Sequence, residues 1–121
     1  MPDYTLTIEV RTHPGGATVI ALAGELDYHT APRLHRTLER TSEARPLILD
    51  LARLRFCDSM GMAELLFLLR RAQESGTFLA LVGTTADVGQ LLAMIGVEAL
   101  LTRYDTVEEA AAALRPDPGS G

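Results

Sequence analysis

The sequence predicts a single α/β domain in which a mixed β-sheet packs against helices. Three observations support this fold class. Short apolar runs typical of strands alternate with longer segments of helical spacing, the 121 residues suit one compact domain, and 47% of them are hydrophobic, enough for a core. We expect the domain to cover residues 1–115, followed by a disordered tail at 116–121 with no hydrophobic side chain beyond its prolines.

The chain is predicted to begin with two strands joined as a hairpin. Residues 4–12 alternate between apolar and polar side chains, which indicates a half-buried strand whose even-numbered residues from Leu6 to Val10 face inward. A His-Pro-Gly-Gly turn at 13–16 then leads to a second apolar run at 17–23, predicted to be a strand, and the Gly-Glu-Leu-Asp segment at 24–27 leads out of this strand.

A helix is predicted next, with Thr30 as its N-cap and Pro32 in its first turn, ending near Ser42. Its inward stripe is Ala31, Leu34 and Leu38, and its solvated outer face is Arg33, Arg36 and Arg40. The run Leu-Ile-Leu-Asp-Leu at 47–51 indicates a strand buried on both faces, and a loop is expected at 52–58.

A well-buried helix is predicted after this loop, ending at Ser75 and Gly76. Its inward positions are Met62, Leu65, Leu66, Leu69 and Ala72, widened by Phe67 and Leu68. A strand at 78–82 follows, and then a helix capped by Thr84 or Thr85 and ended by Gly96. The inward residues of that helix are Val88, Leu91, Leu92 and Ile95.

The chain is predicted to end with a short edge strand and a helix. The strand lies at 100–104, and the helix begins with a capping box from Thr106 to Glu109. The expected buried side chains of this last helix are Val107, Ala110, Ala111 and Leu114. The complete predicted order is β-β-α-β-α-β-α-β-α.

The composition excludes several function classes. All 11 basic residues are arginine, and the chain has neither lysine nor asparagine. Without lysine there is no phosphate-loop NTPase motif and no Schiff-base chemistry, so we expect no cofactor of these kinds. The net charge of −5 argues against direct binding of nucleic acid. A single cysteine and three histidines without metal-ligand spacing predict neither an internal disulfide nor a zinc site.

No targeting or membrane segment is apparent in the sequence. The N-terminus has no basic segment followed by an apolar run, and no stretch approaches the ~20 apolar residues that span a bilayer. We therefore expect a cytoplasmic protein that does not insert into membranes.

Ser59 is the main candidate for function. It lies at a predicted strand-to-helix junction, where ligands and partners often meet an α/β fold. A phosphoryl group on its hydroxyl would meet a helix N-terminus, which favours negative charge. The plainer interpretation is an ordinary N-cap serine. We expect Cys57 to be a buried small hydrophobic residue, and His29 and His35 to be polar surface residues.

Two segments resemble one protein family. Residues 56–62, Phe-Cys-Asp-Ser-Met-Gly-Met, resemble the phosphorylation-site loop of bacterial STAS-domain anti-sigma factor antagonists, in which a pattern close to [FY]-[ML]-D-S-[ST]-G-[LM] follows an apolar strand. Residues 24–31, Gly-Glu-Leu-Asp-Tyr-His-Thr-Ala, resemble the G-E-[LI]-D-x-x-[TS]-[AV] segment of the same family. The resemblance extends over residues 4–114 and implies a STAS fold.

The resemblance implies partner switching by a protein that is not itself an enzyme. The unphosphorylated form would bind an anti-sigma factor that is also a GHKL-type serine kinase, which frees a sigma factor. The kinase would use ATP to phosphorylate Ser59 and release the complex, and a serine phosphatase would reset it. Asp58 would orient the hydroxyl or contact the kinase, with Asp27 close by. The implied partner-binding residues are Glu25, Asp27, Asp58, Ser59, Met60, Gly61 and Met62.

Two departures from the family pattern concern the choice of partner. Met60 stands where the family usually has a second serine or threonine, so one hydroxyl remains in the loop. Glu64 is expected to add an acid to the contact surface.

Two other functions remain open on the sequence. The first is a STAS subunit that docks on an ABC-type lipid transport complex. The second is a small phosphoryl-transfer enzyme or receiver with Asp50 or Asp58 as the nucleophile at a strand end. The missing lysine and the absence of a GxSxG motif argue against the second.

Overall fold

The computed structural model describes residues 5–41, 45–94 and 102–114. The elements within these ranges follow the predicted order. They are β1 (Leu6–Thr12), β2 (Thr18–Leu26), α1 (Ala31–Arg40), β3 (Leu47–Cys57), α2 (Ser59–Ser75), β4 (Leu79–Val82), α3 (Ala86–Met94), β5 (Thr102–Tyr104) and α4 (Val107–Ala113). The predictions for Ser42, Ile95, Gly96, residues 100–101 and the tail at 116–121 lie outside the described residues.

The five strands form one mixed sheet whose spatial order equals their order in the chain. β1 and β2 are antiparallel, joined by a tight turn in which Gly16 has a φ of 100°, a left-handed conformation that favours glycine. The later pairs are parallel and are connected through α1, α2 and α3. The predicted hairpin and mixed sheet are therefore confirmed.

The sheet is buried on both faces at its centre. On one face, α1, α2 and α3 pack in the larger core, whose strand residues include Leu47 and Leu49. On the other face, α4 packs on Ile48 and its neighbours. The predicted two-sided burial of the 47–51 run is thus confirmed, because neighbouring residues of a strand point to opposite faces. No helix in the described part of the chain is long and apolar enough to cross a membrane.

The central strand is much longer than its sequence predicts. β3 continues to Cys57, so the loop predicted at 52–58 is wrong. β2 extends beyond the predicted apolar run and ends at Leu26, within the segment predicted to lead out of it. The two strands pair through two register irregularities, and the buried residues Leu51, Leu54 and Cys57 are spaced three apart. Bulges of this kind break the alternation by which strands are recognised.

The first strand and the first helix depart from the predicted pattern of burial. Leu6 is buried in the larger core, but Val10, predicted to face inward, is 53% exposed and lies outside that core. Arg33 was expected on a solvated face, but its guanidinium Nη1 donates a hydrogen bond to the Leu6 carbonyl at 2.7 Å. The predicted inward stripe of α1 is confirmed.

The ends of the other helices largely follow the sequence. Gly76, with a φ of 64°, ends α2 as predicted, although Phe67 is 43% exposed and does not widen the buried face. The Thr85 hydroxyl accepts from the Val88 N–H at 3.4 Å near the start of α3. In α4, the Thr106 hydroxyl accepts from the N–H of Glu109 at 3.1 Å, as the capping box predicts.

Candidate functional site

Ser59 lies at the start of α2, one residue after strand β3 ends. The side chain is exposed, and no described residue forms a hydrogen bond with its hydroxyl. The interpretation of Ser59 as the N-cap is wrong, because Asp58 takes that position with extended backbone and Ser59 is the first helical residue. Aspartate caps helices about as well as serine. Because β3 extends to Cys57, Asp58 is the one residue between the strand and α2, and it therefore takes the N-cap position.

The Asp58 carboxylate holds two separate segments together. Its Oδ1 accepts from the Gly61 N–H at 2.9 Å, which caps α2. Its Oδ2 accepts from the Tyr28 N–H, also at 2.9 Å, in the connection between β2 and α1. In addition, the Asp58 N–H donates to the Leu26 carbonyl at 3.1 Å. We call these three bonds the Asp58 clamp. The clamp fixes the Ser59 loop against the end of β2.

Asp27 lies in the same connection, one residue before the clamped amide of Tyr28. Its Oδ1 accepts from the N–H groups of His29 and Thr30, both at 3.0 Å, so the carboxylate stabilises its own turn. The Thr30 side chain is fully buried; its hydroxyl accepts from the Asp27 N–H at 2.9 Å and donates to the Glu25 carbonyl at 2.8 Å. Thr30 therefore occupies the predicted N-cap position without capping α1 through its side chain.

Two of the expected partner-binding residues are buried beneath the loop. A Cβ on Gly61 would lie 2.4 Å from the Leu26 carbonyl oxygen and 3.0 Å from the Cys57 Sγ. Met62 is only 5% exposed and packs in the larger core. Gly61 has no side chain and that of Met62 is buried, so neither offers a side chain to a partner at the surface.

Three exposed apolar side chains flank the clamp. Tyr28 is 73% exposed, Phe56 is 50% exposed and Met60 is 54% exposed. We call this set the apolar rim. Met60 is among the residues implied by the family resemblance, whereas Tyr28 and Phe56 are not. The available signal is one aromatic residue in each motif, directly after Asp27 and two residues before Asp58. Tyr28 is bonded to Asp58 through its N–H, and Phe56 and Met60 each stand two residues from Asp58 in the chain. Exposed apolar side chains beside one loop are typical of an interaction surface.

Glu64 does not extend the acidic contact surface as expected. One of its carboxylate oxygens lies 3.0 Å from the Nδ1 of His35, and the side chain is only 19% exposed. The Nε2 of His35 lies 2.9 Å from Glu39 on α1, and its ring is 5.1 Å from that of Phe67. His35 thus bridges α1 and α2 instead of being an ordinary surface residue.

Neither Cys57 nor Asp50 is placed to act as a nucleophile. Burial, followed by the charge of Asp58, raises the pKa of the Cys57 thiol to about 12, so it stays protonated, as expected of a buried cysteine. Asp50 lies within β3 instead of at its end, and its carboxylate accepts from the Ala52 N–H at 3.0 Å. Among the described residues, no group of three or more His, Cys, Asp or Glu could hold a metal ion.

Comparison with known proteins is consistent across sequence and structure. Residues 7–110 match the family model described as the STAS domain. The Anti-sigma F factor antagonist of Paenibacillus polymyxa is 29% identical over 103 residues, which are 83% of this chain and 87% of that protein.

Two solved structures illustrate the similarity of fold. The crystal structure of an anti-sigma factor antagonist from Mycobacterium paratuberculosis has a TM-score of 0.80 at 25% identity, over 92% of this chain and 95% of the other. The Bacillus cell fate determinant SpoIIAA in its phosphorylated form has a TM-score of 0.74 at 22% identity, over 90% of this chain and all of that one (100%), and supports the fold alone.

Proposed function

The chain belongs to the STAS domain family, and from this premise we propose that it is an anti-sigma factor antagonist that works by partner switching. The unphosphorylated chain binds an anti-sigma factor that is also a GHKL-type serine kinase, and this binding frees a sigma factor. Phosphorylation of Ser59 releases the complex, and a serine phosphatase restores the binding form. The observation that carries the proposal is the exposed Ser59 on a loop held by the Asp58 clamp.

The position of Ser59 suits a phosphoryl acceptor. Its exposed hydroxyl can enter the active site of a kinase without local unfolding. The first turn of α2 offers backbone N–H groups and the positive end of the helix dipole to a phosphate. The chain itself has no lysine and no phosphate loop, so ATP and the catalytic groups belong to the kinase.

Charge explains how phosphorylation releases the partner. A phosphate adds about −1.5 to −2 charges at neutral pH. Asp58 already lies at this loop with Asp27 next to its bonded neighbour Tyr28, and the three exposed side chains of the apolar rim adjoin it. In a complex, the phosphate would be pressed against apolar groups and carboxylates, which costs desolvation and repulsion. In the free chain, water and the N-terminus of α2 stabilise it, so the fold tolerates the modification.

Phosphorylation by the cognate anti-sigma factor kinase tests the proposal. The chain is incubated with this kinase and ATP, and the modified residue is identified by mass spectrometry. We expect one phosphate on Ser59 and none on the Ser59→Ala variant. We also expect Ser59→Asp to weaken binding of the kinase at least ten-fold in calorimetry.

Ser75 provides the matched control, because it is an exposed serine at the opposite end of the same helix. The Ser75→Ala variant should accept phosphate normally, and Ser75→Asp should bind the kinase as the unmodified chain does. Phosphate on another residue, or equal binding by the two aspartate variants, would contradict the proposed switch.

A further inference from the structure

Strand β1 exposes an edge of the sheet. The Glu25 N–H donates to the Thr5 carbonyl and the His13 N–H donates to the Ala17 carbonyl, so the odd-numbered residues of β1 form the hydrogen-bonded pairs with β2. In an antiparallel pair, the residues between them direct their N–H and C=O groups the other way. The N–H and C=O groups of the even-numbered residues from Leu6 to Thr12 therefore point away from β2, in the plane of the sheet, toward its open edge.

Only the beginning of this edge is covered among the described residues. Arg33 donates to the Leu6 carbonyl at 2.7 Å. The outward groups of Ile8, Val10 and Thr12 have no hydrogen-bond partner in the described ranges, and the Val10 side chain is 53% exposed. An open edge with an exposed β-branched residue is a template for another strand.

We propose that β1 pairs with β1 of a second copy of this chain, antiparallel about a two-fold axis at Val10. The two sheets then become one continuous sheet of twice the width. Val10 lies opposite Val10 of the second copy, and Ile8 lies opposite Thr12. On the other face of the strand, the exposed Glu9 lies opposite the exposed Arg11 of the second copy. The two-fold axis generates a second, identical pair, so one Glu–Arg pair lies on each side of the axis.

The other symmetric registers are disfavoured by the residues themselves. An axis at Glu9 or at Arg11 places a like charge directly opposite itself, which destabilises a strand pair. An axis at Ile8 requires the outward carbonyl of Leu6, which already accepts from Arg33. An axis at Thr12 places Val10 opposite Pro14, which has no N–H to donate. The charges and the two ends of the strand thus select the Val10 register.

The proposed dimer is independent of the Ser59 loop. Val10 pairs with Ile20 of β2, whereas the loop lies beyond Leu26, six residues further along the same strand, or roughly 20 Å. The loop stays accessible in the dimer, and the dimer neither requires nor excludes partner switching.

Charge reversal of the two edge residues tests the pairing. Sedimentation velocity of the full chain over a concentration series is expected to show a monomer–dimer equilibrium. Glu9→Arg leaves two positive charges on this face and Arg11→Glu leaves two negative ones, so each variant should dimerise at least ten-fold more weakly. An equimolar mixture of the two should form a heterodimer, and the double variant E9R/R11E should dimerise like the unmodified chain.

These outcomes distinguish a variant that is folded but cannot dimerise from a variant that does not fold, because mixing would not restore dimerisation to a misfolded chain. A chain that remains monomeric at all concentrations, or a mixture that associates no better than its components, would overturn the proposal.

A disulfide test fixes the register. Opposed residues of a hydrogen-bonded pair have Cα atoms ~5.5 Å apart, within the range of a disulfide. We expect Val10→Cys to form a covalent dimer under mild oxidation, since the native Cys57 is buried. Thr7→Cys is the control: this exposed residue is three positions from the axis, so its two copies would be about 20 Å apart. Equal cross-linking of both variants, or none from Val10→Cys, would refute this register.

Discussion

Replacing Gly61 by alanine is expected to destabilise the fold, although alanine normally stabilises a helix. The new Cβ would lie 2.4 Å from the carbonyl oxygen of Leu26 and 2.8 Å from its Cγ. The nearest atom belongs to the backbone of β2, so no flexible side chain can move aside. Relief of the clash requires α2 to separate from β2, which strains the Asp58 clamp.

The size of the effect follows from two opposing contributions. Forcing a methyl group into a packed site costs about 1–3 kcal/mol. The higher helix propensity of alanine raises the free energy of unfolding by at most about 1 kcal/mol, and by less in the first turn of a helix. We expect the free energy of unfolding of Gly61→Ala to fall by about 2 kcal/mol.

Gly89 is the matched control, because it is also a helical glycine, in α3. A Cβ there would meet only Arg103 Nη1 at 3.5 Å and Thr84 Cγ2 at 3.9 Å, which are ordinary contacts. Gly89→Ala should be neutral or stabilising by up to about 1 kcal/mol. Urea unfolding followed by far-UV circular dichroism measures both variants. Equal shifts of the unfolding midpoint, or a stabilised Gly61→Ala, would refute the steric reasoning.

Three further predictions concern single side chains. Asp58→Ala should lower the free energy of unfolding by about 2 kcal/mol, because two backbone N–H groups lose their acceptor, and Asp58→Asn should recover about half; denaturant titration measures both. Since burial raises the pKa of the Cys57 thiol from 9.0 to about 12, the unfolded chain ionises first and stability should fall as the pH rises from 9 to 12. A thiol reagent at mildly alkaline pH should also react more slowly with the native chain than with the unfolded one, and equal rates would contradict the burial. Arg33→Met should lower the melting temperature by removing the bond to Leu6, whereas the exposed control Arg36→Met on the same helix should leave it nearly unchanged.

The order of the elements could be predicted because it depends on local patterns. The two-sided burial of residues 47–51 follows from an unbroken apolar run, and the end of α2 follows from Gly76. The two motifs, from separate parts of the chain, meet in space through the bond between the Tyr28 N–H and Asp58. Their proximity was expected from the family resemblance, but this bond was not.

The remaining features depend on contacts between distant residues. Bulges give β3 a three-residue spacing of buried side chains, which resembles neither a strand nor a helix in the sequence. The bond from Arg33 to Leu6 spans 27 residues, and the contact between His35 and Glu64 spans 29. In both cases a polar side chain of α1, Arg33 or His35, contacts a residue that is distant in the sequence, and the helical spacing of α1 alone does not predict that contact. The choice of Asp58 over Ser59 as the cap likewise depended on where β3 ends.

Under the proposed phosphorylation of Ser59, the Asp58 clamp also determines what the kinase can recognise. A short peptide of residues 56–62 contains the serine and its neighbours, but it lacks the Tyr28 amide and the Leu26 carbonyl that hold the loop in place. Only the folded chain presents the serine in this geometry. A kinase that requires the geometry would act on native copies and pass over unfolded ones, so the modification would report on the integrity of the fold as well as on a signal.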